Sequence, residues 1–191
     1  MKIAILTQPL HTNYGGLIQA YALQLILKRM GHEVFTVDRR RRRRRNILML
    51  KAKAILKRAF LRWVLRRKDI PTLNPFWMTE EDRKYISRHL TDFIQNQIQM
   101  TDLIQSSREM KDLAKELFDA YIVGSDQVWR PEYSPCLSNY FLDFLEPTDK
   151  AVKIAYAASF GTDVWEFGEK QIRRCAELAK RFNAVSVRED S

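Results

Sequence analysis

The stretch GSDQVWRP, residues 124–131, closes an apolar run and sets a carboxylate, an amide and an indole within four positions. Asp126 and Gln127 at a strand end suit the grip of a polyol, carboxylate and amide on hydroxyls, with the Trp129 face on a ring. The competing reading makes Trp129 a core plug and Asp126 a turn cap. A second polar loop, Pro9–Gly16, precedes a helix. Its Gly15 and Gly16 let backbone N–H groups approach an anion where the helix dipole favours one. Asn13 serves equally well as an N-cap, Tyr14 adds an aromatic ring, and His11, a single loop histidine, is a weak choice for a general acid. Neither GxGxxG nor GK[ST] is present, so a nucleotide site has little support. Two more segments complete the set: SFGTD from Ser159, and RED from Arg188. A guanidinium at Arg188 can clamp a carboxylate or phosphate in bidentate fashion, or it can pair with Glu189 or Asp190.

These four segments matter because of what precedes each of them. KIAILT (2–7) reads as a buried strand, a helix is expected from about Leu17 to Met30 with Gly31 just past its end, and HEVFTVD (32–38) reads as a second strand. Strand, helix and strand in so short a span make a βαβ unit, with parallel pairing and a right-handed crossover. Further on, a helix near 108–117 feeds the strand DAYIVG (119–124). NYFLDFL (139–145) and VKIAYAAS (152–159) read as two more strands, a helix covers about 168–180, and AVSVRED is the last strand. The alternation predicts an α/β fold with a Rossmann-like, open, mostly parallel sheet. In such sheets ligands bind beyond the carboxyl ends of the strands, where all four segments lie. Glycine and serine there are also what strand-to-helix turns require.

Between the second strand and residue 108 the pattern breaks. Seven arginines (39–45) lead into NILMLKAKAILKRAFLRWVLRRK, and Arg39 to Lys68 hold fifteen basic residues and no acidic one. The net charge of +10 is concentrated there, for the other residues carry 18 basic against 23 acidic side chains, a balance of −5. Apolar positions 48, 52, 55, 56, 59, 60, 63 and 64 fall on one face of a cationic amphipathic helix. IPTLNPFW (70–77) is an irregular connection, and a polar helix near 79–90 and a segment to about 106 follow. The basic insert, about 39–70, has three readings: a solvated excursion, a helix lying on an anionic membrane, or a nucleic-acid arm. The last is disfavoured, because the aromatics are not interleaved with the arginines and the rest of the chain is acidic. Cys136 and Cys175 form no CxxC, and three scattered histidines make a zinc site unexpected. The expected compartment is cytoplasmic, on the expectation of no signal peptide and with no apolar stretch near the ~18 residues a span needs.

Taken together, NYGGLIQAYALQ, DAYIVGSDQVWRP, NYFLDFL, KIAYAASFG and SVREDS resemble the polysaccharide pyruvyl transferase family, in order and in spacing, over nearly the whole chain outside the basic insert. The resemblance implies a GT-B-like pair of Rossmann-like domains, of which residues 1–191 would be the N-terminal one. It implies transfer of a pyruvyl group from phosphoenolpyruvate to two hydroxyls of a saccharide, in exopolysaccharide biosynthesis, on a polysaccharide or its lipid-linked precursor. Phosphoenolpyruvate is then a donor substrate, and no cofactor is expected. By the same resemblance Arg188 and Ser191, in an Arg-x-x-Ser motif, contact the donor. Asn13, Tyr14, Gly15 and Gly16 line the interdomain cleft, Ser125 and Asp126 its floor or acceptor side, and Ser159 the neighbouring loop. The general acid is expected in the second domain, so this stretch alone is expected to show little turnover. A peripheral place at the inner face of the membrane follows if residues 39–68 bind lipid. Two other readings stand beside this one: a non-catalytic α/β module holding a glycan or a membrane, and half of a GT-B glycosyltransferase.

Overall fold

In a computed structural model, residues 1–10, 13–42, 47–63, 66 and 80–189 are described. The chain forms two units, residues 1–41 with 89–191, and residues 42–88.

The first unit is built on five strands: β1 (Lys2–Leu6), β2 (Glu33–Thr36), β3 (Ala120–Asp126), β4 (Val152–Ala158) and β5 (Ala184–Val187). Every pairing is parallel and the order is β2-β1-β3-β4-β5. Parallel strands need covered faces, and the two-residue alternation along β1 shows how both are covered. Ile3 and Ile5 pack with Val34, Ala120 and Ile122 under Leu23 and Leu27 of helix α1 (Tyr14–Arg29). Ala4 and Leu6 face the other way, into a larger cluster with Tyr121, Val123, Met110, Trp129 and Phe141. Met110 comes from α4 (Ser107–Leu113), started by a Ser106/Glu109 capping box. Cys175 and Leu178 of α5 (Glu169–Ala179) close the same face. The second half of α3 (Glu80–Gln97) adds Leu90, Phe93 and Ile94 to a third cluster with Leu10, Leu17 and Ala20. Buried Gln24 is fully used: its Nε2 donates to Thr36 Oγ1 at 3.0 Å and to the Gln99 carbonyl at 2.9 Å, and its Oε1 accepts from Gln99 N.

Gly124 is a requirement of this sheet. Its φ is +122°, and a Cβ there would stand 2.1 Å from the Tyr156 carbonyl oxygen of β4.

Three expectations need correction. NYFLDFL is not a strand: Leu137–Phe141 is a short 3₁₀ turn, and Leu142 has φ +56°. Tyr140, Leu142 and Phe144 alternate as a strand would, but Asn139 and Phe141 are buried as well, so the segment plugs the core with all its sides. Helix α1 begins at Tyr14, not Leu17, because Asn13 caps it by accepting from Gly16 N at 3.3 Å. The polar helix near 79–90 continues as α3 to Gln97, its last two turns sustained by the apolar contacts of Leu90, Phe93 and Ile94.

The arginine run divides. Arg39 is 5% exposed, its Nε donating to Asn139 Oδ1 at 3.0 Å and its Nη1 to the Arg40 and Ile104 carbonyls. A buried guanidinium is tolerated because such acceptors replace its water.

The second unit contains α2 (Ile47–Trp63), the expected amphipathic helix. Leu56, Phe60 and Trp63 are all more than half exposed and share one stripe with Ala52. Among the described residues no helix is long and apolar enough to cross a membrane.

Candidate functional site

The strand order reverses between β1 and β3. The chain leaves β1 for β2 on one side, and the later strands add on the other. That switch point is where an open α/β sheet forms a crevice at its carboxyl edge. A cleft of about 540 Å³ lies there, within the range of small-molecule sites. Gln8, Pro9 and Asn13 follow β1, Asp126 and Gln127 end β3, and Arg40 and Arg41 follow β2. Glu132, Tyr133 and Pro135, from the loop after β3, complete the lining.

Asp126 is held by its backbone, with φ +85° and a carbonyl that accepts from Val128 N at 2.7 Å and Ser159 N at 3.0 Å. Its carboxylate lies against the first turn of α1: a Cβ at Gly16 would be 3.2 Å from Asp126 Oδ2 and 3.2 Å from Asn13 Nδ2. A side chain at 16 would have to displace one of these two side-chain ends by a few tenths of an ångström. A carboxylate at a helix N-terminus is stabilised by the dipole, by about 0.3–1 kcal/mol at an exposed end. It also stands where an anion bound to that terminus would stand, and Gly16 N already serves Asn13. Asn13, Tyr14 and Gly15 are exposed at this lip. Gln8 links the two loops through a 2.6 Å bond from Nε2 to the Gln127 carbonyl. Thr7 Oγ1 donates to the Ser125 carbonyl at 3.2 Å.

Trp129 does not face the cleft. It is 3% exposed, stacked on Phe141 with centroids 4.9 Å apart, and its Nε1 donates to the Tyr140 carbonyl at 3.0 Å. The core reading of this residue holds and the ring-stacking reading falls.

A second cluster forms where β4 and β5 end. Arg188 is exposed, and its Nη2 donates to Ser159 Oγ at 3.2 Å. Ser159 is fully buried, and its hydroxyl donates to Glu189 Oε1, which also accepts from Gly161 N at 3.3 Å. Burial works to raise the Glu189 carboxyl, but the Ser159 hydroxyl and the backbone N–H groups of Glu189, Gly161 and Phe160 outweigh it and hold it below the usual range. Ser159 thus orients Arg188 and Glu189. Arg188 makes no ion pair with Glu189, while Asp190 and Ser191, like His11 and Thr12, lie outside the described residues.

The site contains residues that the sequence pattern concealed. Arg40 and Arg41 belong to a run that composition assigns to a solvated insert, and Glu189 has the sequence signature of no more than an ion-pair partner for Arg188. Tyr133 followed a more conspicuous tryptophan.

The family model for polysaccharide pyruvyl transferases matches residues 13–191. The chain belongs to the polysaccharide pyruvyl transferase family. No curated protein and no solved structure matches it. Membership in this transferase family implies a saccharide acceptor and a pyruvyl donor in general. The matched segment includes the Ser159–Arg188–Glu189 group and all of the cleft lining except Gln8 and Pro9. The cleft presents the carboxylates of Asp126 and Glu132, the amides of Gln8, Asn13 and Gln127 and the guanidinium groups of Arg40 and Arg41, while Arg188 presents an exposed cation at the second cluster.

Proposed function

We propose that this protein transfers the pyruvyl group of phosphoenolpyruvate to two hydroxyls of a saccharide, forming a cyclic ketal and releasing phosphate. The observation that carries this reading is the cleft at the β1/β3 switch point, where Asp126, Gln127 and Asn13 converge in a chain of this family. A proton delivered to the methylene carbon of the donor makes its C2 an oxocarbenium-like centre. A saccharide hydroxyl attacks C2 and gives up its proton. The C2–O bond to phosphate then breaks, phosphate leaves with the bonding pair, and the second hydroxyl attacks and loses its proton to close the ketal. Asp126, whose backbone is fixed at the end of β3 in the cleft, is suited to take a hydroxyl proton. Arg188 meets the donor's phosphate or carboxylate, its orientation fixed by Ser159. No histidine among the described residues lines the cleft, and the family resemblance assigns the proton donor to a second domain. Phosphate release by the complete polypeptide that requires both phosphoenolpyruvate and a saccharide supports this function, and release that ignores the saccharide counts against it.

Arg188→Ala should weaken phosphoenolpyruvate binding by about tenfold or more, the scale of one charge-assisted contact. Saccharide binding should change little. Calorimetry with each substrate separately checks this, and equal losses for both would remove Arg188 from the donor site.

The stripe of Leu56, Phe60 and Trp63 on α2 supports a place on an anionic bilayer, in keeping with a lipid-linked acceptor and with catalysis at the inner membrane face. Exposed Lys53 and Lys57 border the stripe, and residues 39–68 hold no acid. The protein should sediment with phosphatidylglycerol vesicles at low salt but not with phosphatidylcholine vesicles. A triple Leu56→Ser, Phe60→Ser, Trp63→Ser variant should lose most of that binding. Retention by the variant, or binding to RNA in place of vesicles, would overturn the assignment.

A further inference from the structure

With Trp129 in the core, the cleft has a different aromatic residue. Tyr133 lines it while remaining 50% exposed. An exposed ring has no packing role to explain its position, yet this one is braced from several directions. The Arg130 guanidinium lies over one face, 4.4 Å from the ring centroid. Arg130 is itself fixed by Glu166, through Nη2–Oε1 at 2.9 Å and Nε–Oε1 at 3.2 Å. Tyr133 N donates to the Arg130 carbonyl at 3.2 Å. From the opposite side of the sequence, Arg41 Nη2 donates to the carbonyls of Glu132 and Ser134, the residues on either side of Tyr133. One arginine thus covers a face of the ring, and another holds the backbone on either side of it.

We propose that Tyr133 is the stacking platform for a pyranose ring of the acceptor, which presents hydroxyls to Asp126 and Gln127 of the same cleft. This rests on the reading of the cleft as the saccharide side of the site. A flat, amphipathic ring suits the C–H face of a sugar, whose rim of hydroxyls then meets the carboxylate and amides. Bracing by Arg130 and Arg41 removes the cost of ordering the ring on binding. Tyr133 is accordingly a specificity-determining residue: it selects a pyranose with an unobstructed C–H face, and it contributes to binding more than to bond making.

The experiment measures saturation-transfer NMR and affinity for methyl galactoside, glucoside and mannoside, separately from ketal formation, on the complete polypeptide. Variants are Tyr133→Ala, Tyr133→Leu and Tyr133→Trp, the leucine keeping apolar bulk without a flat face. The expected result is transfer to the ring C–H protons of at least one glycoside. Affinity should fall about tenfold in the alanine and leucine variants and be kept in the tryptophan variant, with phosphoenolpyruvate binding unchanged. Glycoside binding that is absent from the wild type, or equal in wild type and both truncated variants, overturns the proposal. Tyr133-dependent binding without pyruvyl transfer upholds the platform and removes the proposed reaction. Ketal formation whose acceptor KM ignores Tyr133 upholds the reaction and removes the platform.

Discussion

Trp129→Ala should cost about 3–5 kcal/mol of folding stability, the range for truncating a buried large aromatic. The indole joins three parts of the first unit. It stacks on Phe141 with planes 10° apart, meets Phe160 at 5.5 Å and Phe182 at 6.4 Å, and donates Nε1–H to the Tyr140 carbonyl. Alanine leaves a cavity among these rings and an unpaired buried carbonyl, and both terms act in the same direction. Trp129→Phe keeps most of the volume and should lose roughly 1–3 kcal/mol, chiefly through the lost hydrogen bond and poorer fit. Urea unfolding followed by circular dichroism separates the cases through the midpoint at constant slope. A loss under about 1 kcal/mol for Trp129→Ala would mean that the residue is not a core plug. The site would then need to be redrawn around an exposed indole.

Asp126→Asn should reduce kcat/KM for ketal formation by about 10²–10⁴-fold, the usual range for removing a proton acceptor from the reacting group. The exchange is nearly silent for the backbone, since asparagine tolerates the positive φ that Asp126 adopts. It keeps the side-chain shape beside Gly16 and forfeits only the charge at the start of α1, about 0.3–1 kcal/mol. Folding and phosphoenolpyruvate binding should therefore survive while turnover does not. A variant that turns over within about threefold of the wild type would exclude Asp126 as the group receiving the hydroxyl proton.

The parts of the fold legible in the sequence are those written in local pattern. KIAIL, DAYIVG and the helix after Gly168 were readable because each has one periodicity and clear flanks. Asn13 and Asp126 were readable as site candidates because loops after parallel strands gather at one edge. What could not be read depends on contacts distant in sequence. Arg39 bonds a residue a hundred positions away, and that contact turns one arginine of a seven-arginine run into a core residue. NYFLDFL imitates a strand in its alternation, yet Tyr140 donates its hydroxyl to the Thr7 carbonyl and so folds into the core. Tyr133 gains its place only when Arg41, more than ninety positions earlier, holds the carbonyls beside it. The β2-β1-β3-β4-β5 order decides that the loops after β1 and β3 share a cleft while Arg188 stands with Ser159.

Formation of a ketal from phosphoenolpyruvate can be read directly. The complete polypeptide should be incubated with phosphoenolpyruvate carrying ¹³C at C2 and with the saccharide pool of the cell surface, and the product read by NMR. Labelled C2 should appear as a quaternary ketal carbon bonded to two saccharide oxygens, with one phosphate released for each ketal. Label confined to free pyruvate or to a singly linked enol ether, or transfer of a sugar from a nucleotide donor instead, would contradict it.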